Sequence, residues 1–163
     1  MKKVVLTTLL AVLVCAGTAP FAAFDTKNVT VNATVSATAK LDLSSLTVNF
    51  LDADPDTTPT ITVAPITITA KGKTAAASDI TLTVLASDDL KSGSDTITID
   101  NITWTVTGAG FAAGTMSKTV AQSLGSWTGS GNRSGTQTYS LANSWAYATG
   151  AYTTSVTYTL TAP

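Results

Sequence analysis

Histidine and glutamate are both missing from this 163-residue chain, and its single cysteine, Cys15, lies near the start. Without histidine there is no ordinary base for a Ser or Cys nucleophile, no proton shuttle near neutral pH and no imidazole metal ligand. Without glutamate or a second cysteine, zinc sites of ordinary type cannot be assembled. A Ser–Lys pair or an Asp–Asp pair is the catalytic arrangement left over, but the lysines stand mostly beside turns, where solvated charge is expected. The chain is therefore expected not to be an enzyme and to need no cofactor. Charge of either sign is scarce, at 12% of residues, and the sequence carries no basic stripe, which argues against nucleic acid as a partner.

Long apolar runs are lacking too. Lys2 and Lys3 are followed by the apolar stretch Val4 to Val14 and by a small-residue zone through Ala16, Ala19, Ala22 and Ala23. That order is the pattern of an export signal, expected over residues 1–23. The stretch is far short of the roughly 20 residues that span a bilayer, and no span is expected beyond it. Cys15 follows Val14, which is larger than the residue a lipid-attachment site prefers. After the expected cleavage no cysteine remains and no disulfide can form. A chain of about 140 residues can still bury about two thirds of its unfolded surface, enough for a core without staples. The acids after Ala23 are ten aspartates, set against seven Lys or Arg, so the surface is mildly acidic.

What is abundant is threonine, arranged in alternation with apolar residues. Val29, Val31, Ala33 and Val35 alternate with Thr30, Asn32 and Thr34; Ile80, Leu82 and Val84 alternate with threonines; Tyr152, Val156, Tyr158 and Leu160 share one face of a final strand. Further strands are expected over 41–50, over 61–70 with a bulge or edge at Pro65, over 97–106 with a break near Asp100–Asn101, over 136–141 and, more weakly, over 116–124. Turns are expected at 52–59, 71–73, 88–95, 108–114 and 125–135, where Gly, Asn and Asp gather. No helix and no second domain are expected. The economical fold is a single antiparallel immunoglobulin-like β-sandwich over residues 38–163, preceded by an N-terminal strand over residues 24–37.

Three side-chain groups invite a functional reading. Asp52, Asp54 and Asp56 alternate as oxygen ligands of calcium do, but no glycine stands at the sixth position and Val63 occupies the place of a bidentate acid. A solvated Asp/Pro turn is the expectation there. Trp127 and Trp145 sit beside expected loops and could stack on the apolar faces of sugar rings, as part of a polysaccharide-binding surface. Trp104 and Tyr139 share the phase of apolar neighbours and belong in the core. The segment over residues 28–37 reads in two ways: as the ordinary first strand of a self-complete sandwich, or as a strand offered to another molecule.

The run Lys27-Asn-Val-Thr-Val-Asn-Ala-Thr-Val35 resembles the N-terminus of the major subunits of colonisation-factor fimbriae, the α-type chaperone–usher pilins. The ending Gly150-Ala-Tyr152-Thr-Thr-Ser-Val156-Thr-Tyr158-Thr-Leu160 is similar to the last strand of the same subunits. The resemblance implies a cysteine-free sandwich lacking one strand, which the N-terminal extension of the next subunit supplies. Val29, Val31, Ala33 and Val35 would then fill a groove bordered by the final strand, and a periodic series of like subunits would form with help from a periplasmic chaperone. A second likeness is to the distal motif of WxL cell-wall-binding domains, carried by Tyr152, Val156-Thr-Tyr158-Thr-Leu160 and Pro163. Trp104-Thr-Val106 would stand for its Trp-x-Leu, with Val in place of Leu and Tyr158 in place of Trp. These likenesses imply a secreted bacterial protein of the periplasm or cell surface, either a non-catalytic pilin-like subunit that adds strands or decorates a filament alongside other surface proteins, or a monomeric module that binds cell wall or glycan.

Overall fold

The computed structural model describes residues 25–163; the expected export signal, residues 1–23, lies outside the described residues. The chain divides into two compact units after Ala33. In the described part of the first, residues 25–33, no strand forms and every residue is exposed. The expected N-terminal strand is therefore not paired into any sheet: Val29, Val31 and Val35 are 84%, 87% and 76% exposed. The chain joins a sheet first at Thr38. An alternating pattern makes a stable strand only where a neighbouring ladder accepts it, and residues 28–37 have none.

From Thr38 onwards the protein is an all-β structure of antiparallel strands, with a single 3₁₀ turn at Ile99–Asn101. The first sheet holds β1 (Thr38–Leu43), β3 (Ile66–Lys73), β10 (Gly131–Ala142), β7 (Ile102–Thr107) and β8 (Gly114–Thr115) in that order, with β2 (Thr60–Thr62) on β10. The second holds β11 (Val156–Thr161), β4 (Asp79–Ala86) and β9 (Gln122–Thr128) in that order. A hairpin of β5 (Leu90–Ser92) and β6 (Asp95–Ile97) stands apart. The inward faces of the two sheets meet in a large core cluster and a smaller one around Ala70, Ile80 and Trp127, with Leu41 and Leu160 packed against both, which is the sandwich expected from the period-two pattern.

That core is deepest on β4, where Ile80, Leu82 and Val84 are wholly buried, and opposite it on β3, where Ile68 and Ala70 are too. Trp104 and Tyr139 pack edge to face with ring centroids 6.5 Å apart, as their phase required. The indole N–H of Trp104 donates to the Ala112 carbonyl over 2.9 Å, so its polar edge is satisfied. Pro65 does interrupt its strand: β2 and β3 lie on the same edge of β10, at Ser140–Ala142 and Gly131–Gln137, with the break between them.

Several expected turns are strand instead. Lys71-Gly72-Lys73 lies inside β3, laddered to β1 and β10, and its glycine serves packing and not a turn, since a Cβ at Gly72 would run into the Ile80 side chain. Gly135 sits in β10 against the Thr107 carbonyl, again a close approach of backbone. The stretch 125–135 is thus the end of β9, a short crossover at Gly129–Ser130 and the start of β10. Met116 is buried but belongs to no strand, and the strand expected at 116–124 is displaced to 122–128.

Candidate strand-addition site

The two sides of the sandwich are closed differently. On the β8/β9 side, the connection through residues 108–117 binds both sheets. Ala112 N–H donates to the Leu124 carbonyl over 2.9 Å, Ser126 N–H to Gly110 over 2.9 Å, Ala86 N–H to Ser117 over 3.0 Å and Met116 N–H to Ile102 over 2.8 Å. On the other side stand β1 and β11, each hydrogen-bonded along one edge only among the described residues. The two approach at the Thr38 end. There Leu41, Leu160 and Ala162 pack on Ala70, Ile80 and Trp127, and the Thr74 hydroxyl donates to the Pro163 carbonyl. Towards the Leu43 end they part.

The parting opens a cavity of about 1320 Å³ lined by Leu43, Val48, Phe50, Tyr152, Val156 and Tyr158 among others. Its walls are inward-facing yet unfinished. Val156, Tyr158 and Leu160 alternate with exposed threonines, but remain half-buried beside neighbours on β4 that are fully buried. The candidate residues Tyr152, Val156 and Tyr158 are therefore brought to one groove, and Leu160 to its narrow end. Val29, Val31, Ala33 and Val35 are exposed and belong to no strand.

The opposite wall was not among the residues singled out from the sequence. Leu43, Val48 and Phe50 supply it, and the apolar alternation of that stretch was the available signal. The expected strand over 41–50 stops at Leu43, with a last ladder bond from Ser44 N–H to the Thr67 carbonyl over 2.9 Å. The ladder ends because Ser44 Oγ takes the Thr67 N–H over 2.8 Å in place of the Ser44 carbonyl, and the next donor along that edge would be Pro65, which has no N–H to offer.

At the floor of the groove Tyr158 reaches across to the first sheet. Its hydroxyl donates to Gln137 Oε1 over 2.7 Å and lies 2.6 Å from the Tyr139 hydroxyl, which must then donate to it. Burial pushes both phenols above their usual range. Gln137 is fully buried, and its Nε2 has no partner among the described residues.

The remaining candidates separate. Trp127, expected near a loop, is in β9 and 7% exposed, with Arg133 6.0 Å over its ring. It cannot present a face to a sugar. Trp104 is equally unavailable. Trp145 is 70% exposed on the cavity rim, its indole N–H donating to Asp56 Oδ1 over 3.0 Å. Asp52, Asp54 and Asp56 do not converge: Asp54 Oδ1 accepts the Asp56 backbone N–H over 2.9 Å in a turn, Asp56 holds Trp145, and no grouping of three acidic side chains suited to a metal occurs among the described residues. Calcium thus loses its geometric support there.

Asp88 and Asp89 are engaged with cations. Lys91 pairs with Asp88, Lys118 pairs with Asp89, and Asp89 Oδ1 also accepts the Ile99 N–H over 3.0 Å. Lys118 and the Ile99 amide hold the Asp89 carboxyl below its usual range; Lys91 and the Asp89 amide do the same for Asp88. These pairs tie the β4–β5 connection to the segment after Met116. No helix among the described residues is long and apolar enough to cross a membrane. No protein-family model matches the chain, and no curated protein matches it.

Proposed function

We propose that this protein is a secreted, non-catalytic surface subunit that assembles by strand addition, the groove between β1 and β11 receiving residues 28–35 of a second copy. One observation carries the reading: the same chain has a half-buried apolar groove along a strand edge that is unpaired among the described residues and, elsewhere, an exposed segment with the alternation of a strand. An added strand gains main-chain hydrogen bonds from the edge of β11 and buries alternate side chains beneath it. Val29, Val31, Ala33 and Val35 would each contribute about 1–2 kcal/mol of burial before entropy is subtracted. Leaving such an edge uncovered invites indiscriminate pairing, which is a reason for a periplasmic chaperone to cover it until a subunit arrives. Electron microscopy of the purified protein tests the reading. Fibres are expected from the full chain and none from the Val31→Asp/Val35→Asp variant, whose altered side chains touch no core. A wild-type protein that stays monomeric at high concentration sinks it.

A second reading, a glycan- or cell-wall-binding module, rests on Trp145 alone now that Trp127 and Trp104 are buried. Its indole is fixed by Asp56 with much of its surface in solvent, which suits stacking on a sugar ring. Pull-down by polysaccharide that Trp145→Ala abolishes, with unchanged melting temperature, would favour it.

A further inference from the structure

The charges of the sandwich are sorted by end. At the Thr38 end, β1, β3 and β10 carry Lys40, Lys71, Lys73 and Arg133; the acids there are Asp42, 3.5 Å from Lys40, and Asp79, which accepts the Thr128 hydroxyl. Lys71, Lys73 and Arg133 make no ion pair among the described residues. At the Leu43 end the balance reverses. Asp52, Asp54 and Asp56 lie between β1 and β2; Asp88 and Asp89 lie between β4 and β5, Asp95 opens β6 and Asp100 is in the 3₁₀ turn before β7. Among the described residues Lys91 and Lys118 are the cations at that end, and both are engaged by Asp88 and Asp89. One end is therefore net positive and the other strongly negative.

The acidic end is also where the groove opens, with Leu46 and Leu51 exposed at its rim beside Trp145. The donor segment leaves its own sandwich at the basic end, since only Ser36 and Ala37 separate Val35 from Thr38. The three residue steps from Val35 to Thr38 reach no further than about 11 Å, so the donor's basic end must sit close to the point where Val35 emerges from the receiving groove. At the groove's narrow end that point would bring basic end against basic end. At its mouth, basic meets acidic.

We infer, resting on the strand-addition reading, that successive copies stack basic end on acidic end, this charge pairing steering assembly and fixing the direction of the incoming strand. That direction runs from residue 28 at the narrow end to residue 35 at the mouth. β11 runs the other way, from Val156 at the mouth to Thr161, so the added strand is antiparallel to it, the better-bonded arrangement. The contact is head to tail and does not close on itself, so it propagates. Complementary ends raise the encounter rate, and salt screens them over about 10 Å at 0.1 M.

The test uses full-length chains. Lys71→Asp/Lys73→Asp reverses part of the basic end, and Asp52→Lys/Asp100→Lys part of the acidic end; all four side chains are exposed. Each double variant alone should assemble at least about 10-fold more slowly than wild type, and an equimolar mixture of the two should recover most of the rate. Raising salt should slow wild type by a comparable factor. A peptide of residues 27–36 should bind all of these chains alike, because it carries the strand without the rest of the donor. If the peptide binds but assembly ignores both charge reversal and salt, the end-to-end pairing is overturned and strand addition stands. If the peptide binds none of the chains, strand addition itself fails and the pairing with it.

Discussion

Tyr139 and Tyr158 stand phenol to phenol across the two sheets, their oxygens 2.6 Å apart, with Gln137 accepting from Tyr158 at 2.7 Å. Tyr158 is on the strand that borders the groove, so this relay joins β11 to β10 where the neighbouring core is unfinished. Tyr158→Phe removes the donor to Gln137 and the acceptor for Tyr139 together. Leaving buried polar atoms unpaired costs about 1–3 kcal/mol, and denaturant unfolding should show a loss of that size. Tyr139→Phe leaves the Tyr158–Gln137 bond in place and should cost less.

The tryptophans should sort by burial. Trp104→Ala empties the centre of the core and should cost about 3–5 kcal/mol, enough to threaten folding of the whole sandwich. Trp145→Ala should change stability by no more than about 0.5 kcal/mol, as befits a rim residue. Thermal melts of the two variants check this directly.

Stability should be flat across neutral pH and fall on both sides. The Asp88 and Asp89 carboxyls titrate below their unfolded value of about 3.8 in the native state. Their contribution is therefore present above that value and lost as pH falls through the native ones. Burial holds Tyr139 and Tyr158 above the ordinary 10.0, so their contribution is present below pH 10.0 and lost as pH rises through the native values. No histidine titrates in between. Melting temperature measured from acid to alkali should trace a plateau; a step between about pH 5 and 8 would contradict this account.

Val31→Asp and Val35→Asp should leave the melting temperature of the monomer unchanged, because both side chains are solvent-exposed. Any loss of fibres in these variants then reports on assembly alone. Differential scanning calorimetry of the monomer, alongside sedimentation of wild type and variant, separates the two effects.

Much of the fold could be read from the sequence where period and burial coincide. Ile80, Leu82 and Val84 had to share a face, and they anchor the second sheet; Trp104 and Tyr139 had the phase of core residues and are core. Glycine misled where it serves close packing rather than turning. Gly72 and Gly135 lie in strands, and the glycines around Trp127 gave a buried residue the look of a loop neighbour. The stretch after Leu43 has a strand's alternation but lost its ladder where Ser44 Oγ captures the Thr67 N–H, one step before Pro65 on a strand distant in sequence. The strands bordering the groove were partly legible, since Val156, Tyr158 and Leu160 were picked out by pattern. That β11 and β1 have no strand between them among the described residues follows from the order of the sheets, which is fixed by pairings such as Leu43 with Ile68 and Thr161 with Thr81, and leaves no local mark.

The lacing of residues 108–117 on one side and its lack on the other give the molecule a spine and a fore-edge. Thermal fluctuations should lift β11 away from the fore-edge long before they disturb Trp104 beside the spine, because local opening follows where contacts are fewest. Proteases and exchanging deuterium should enter by that route, and whatever strand occupies the groove should bolt the pages shut.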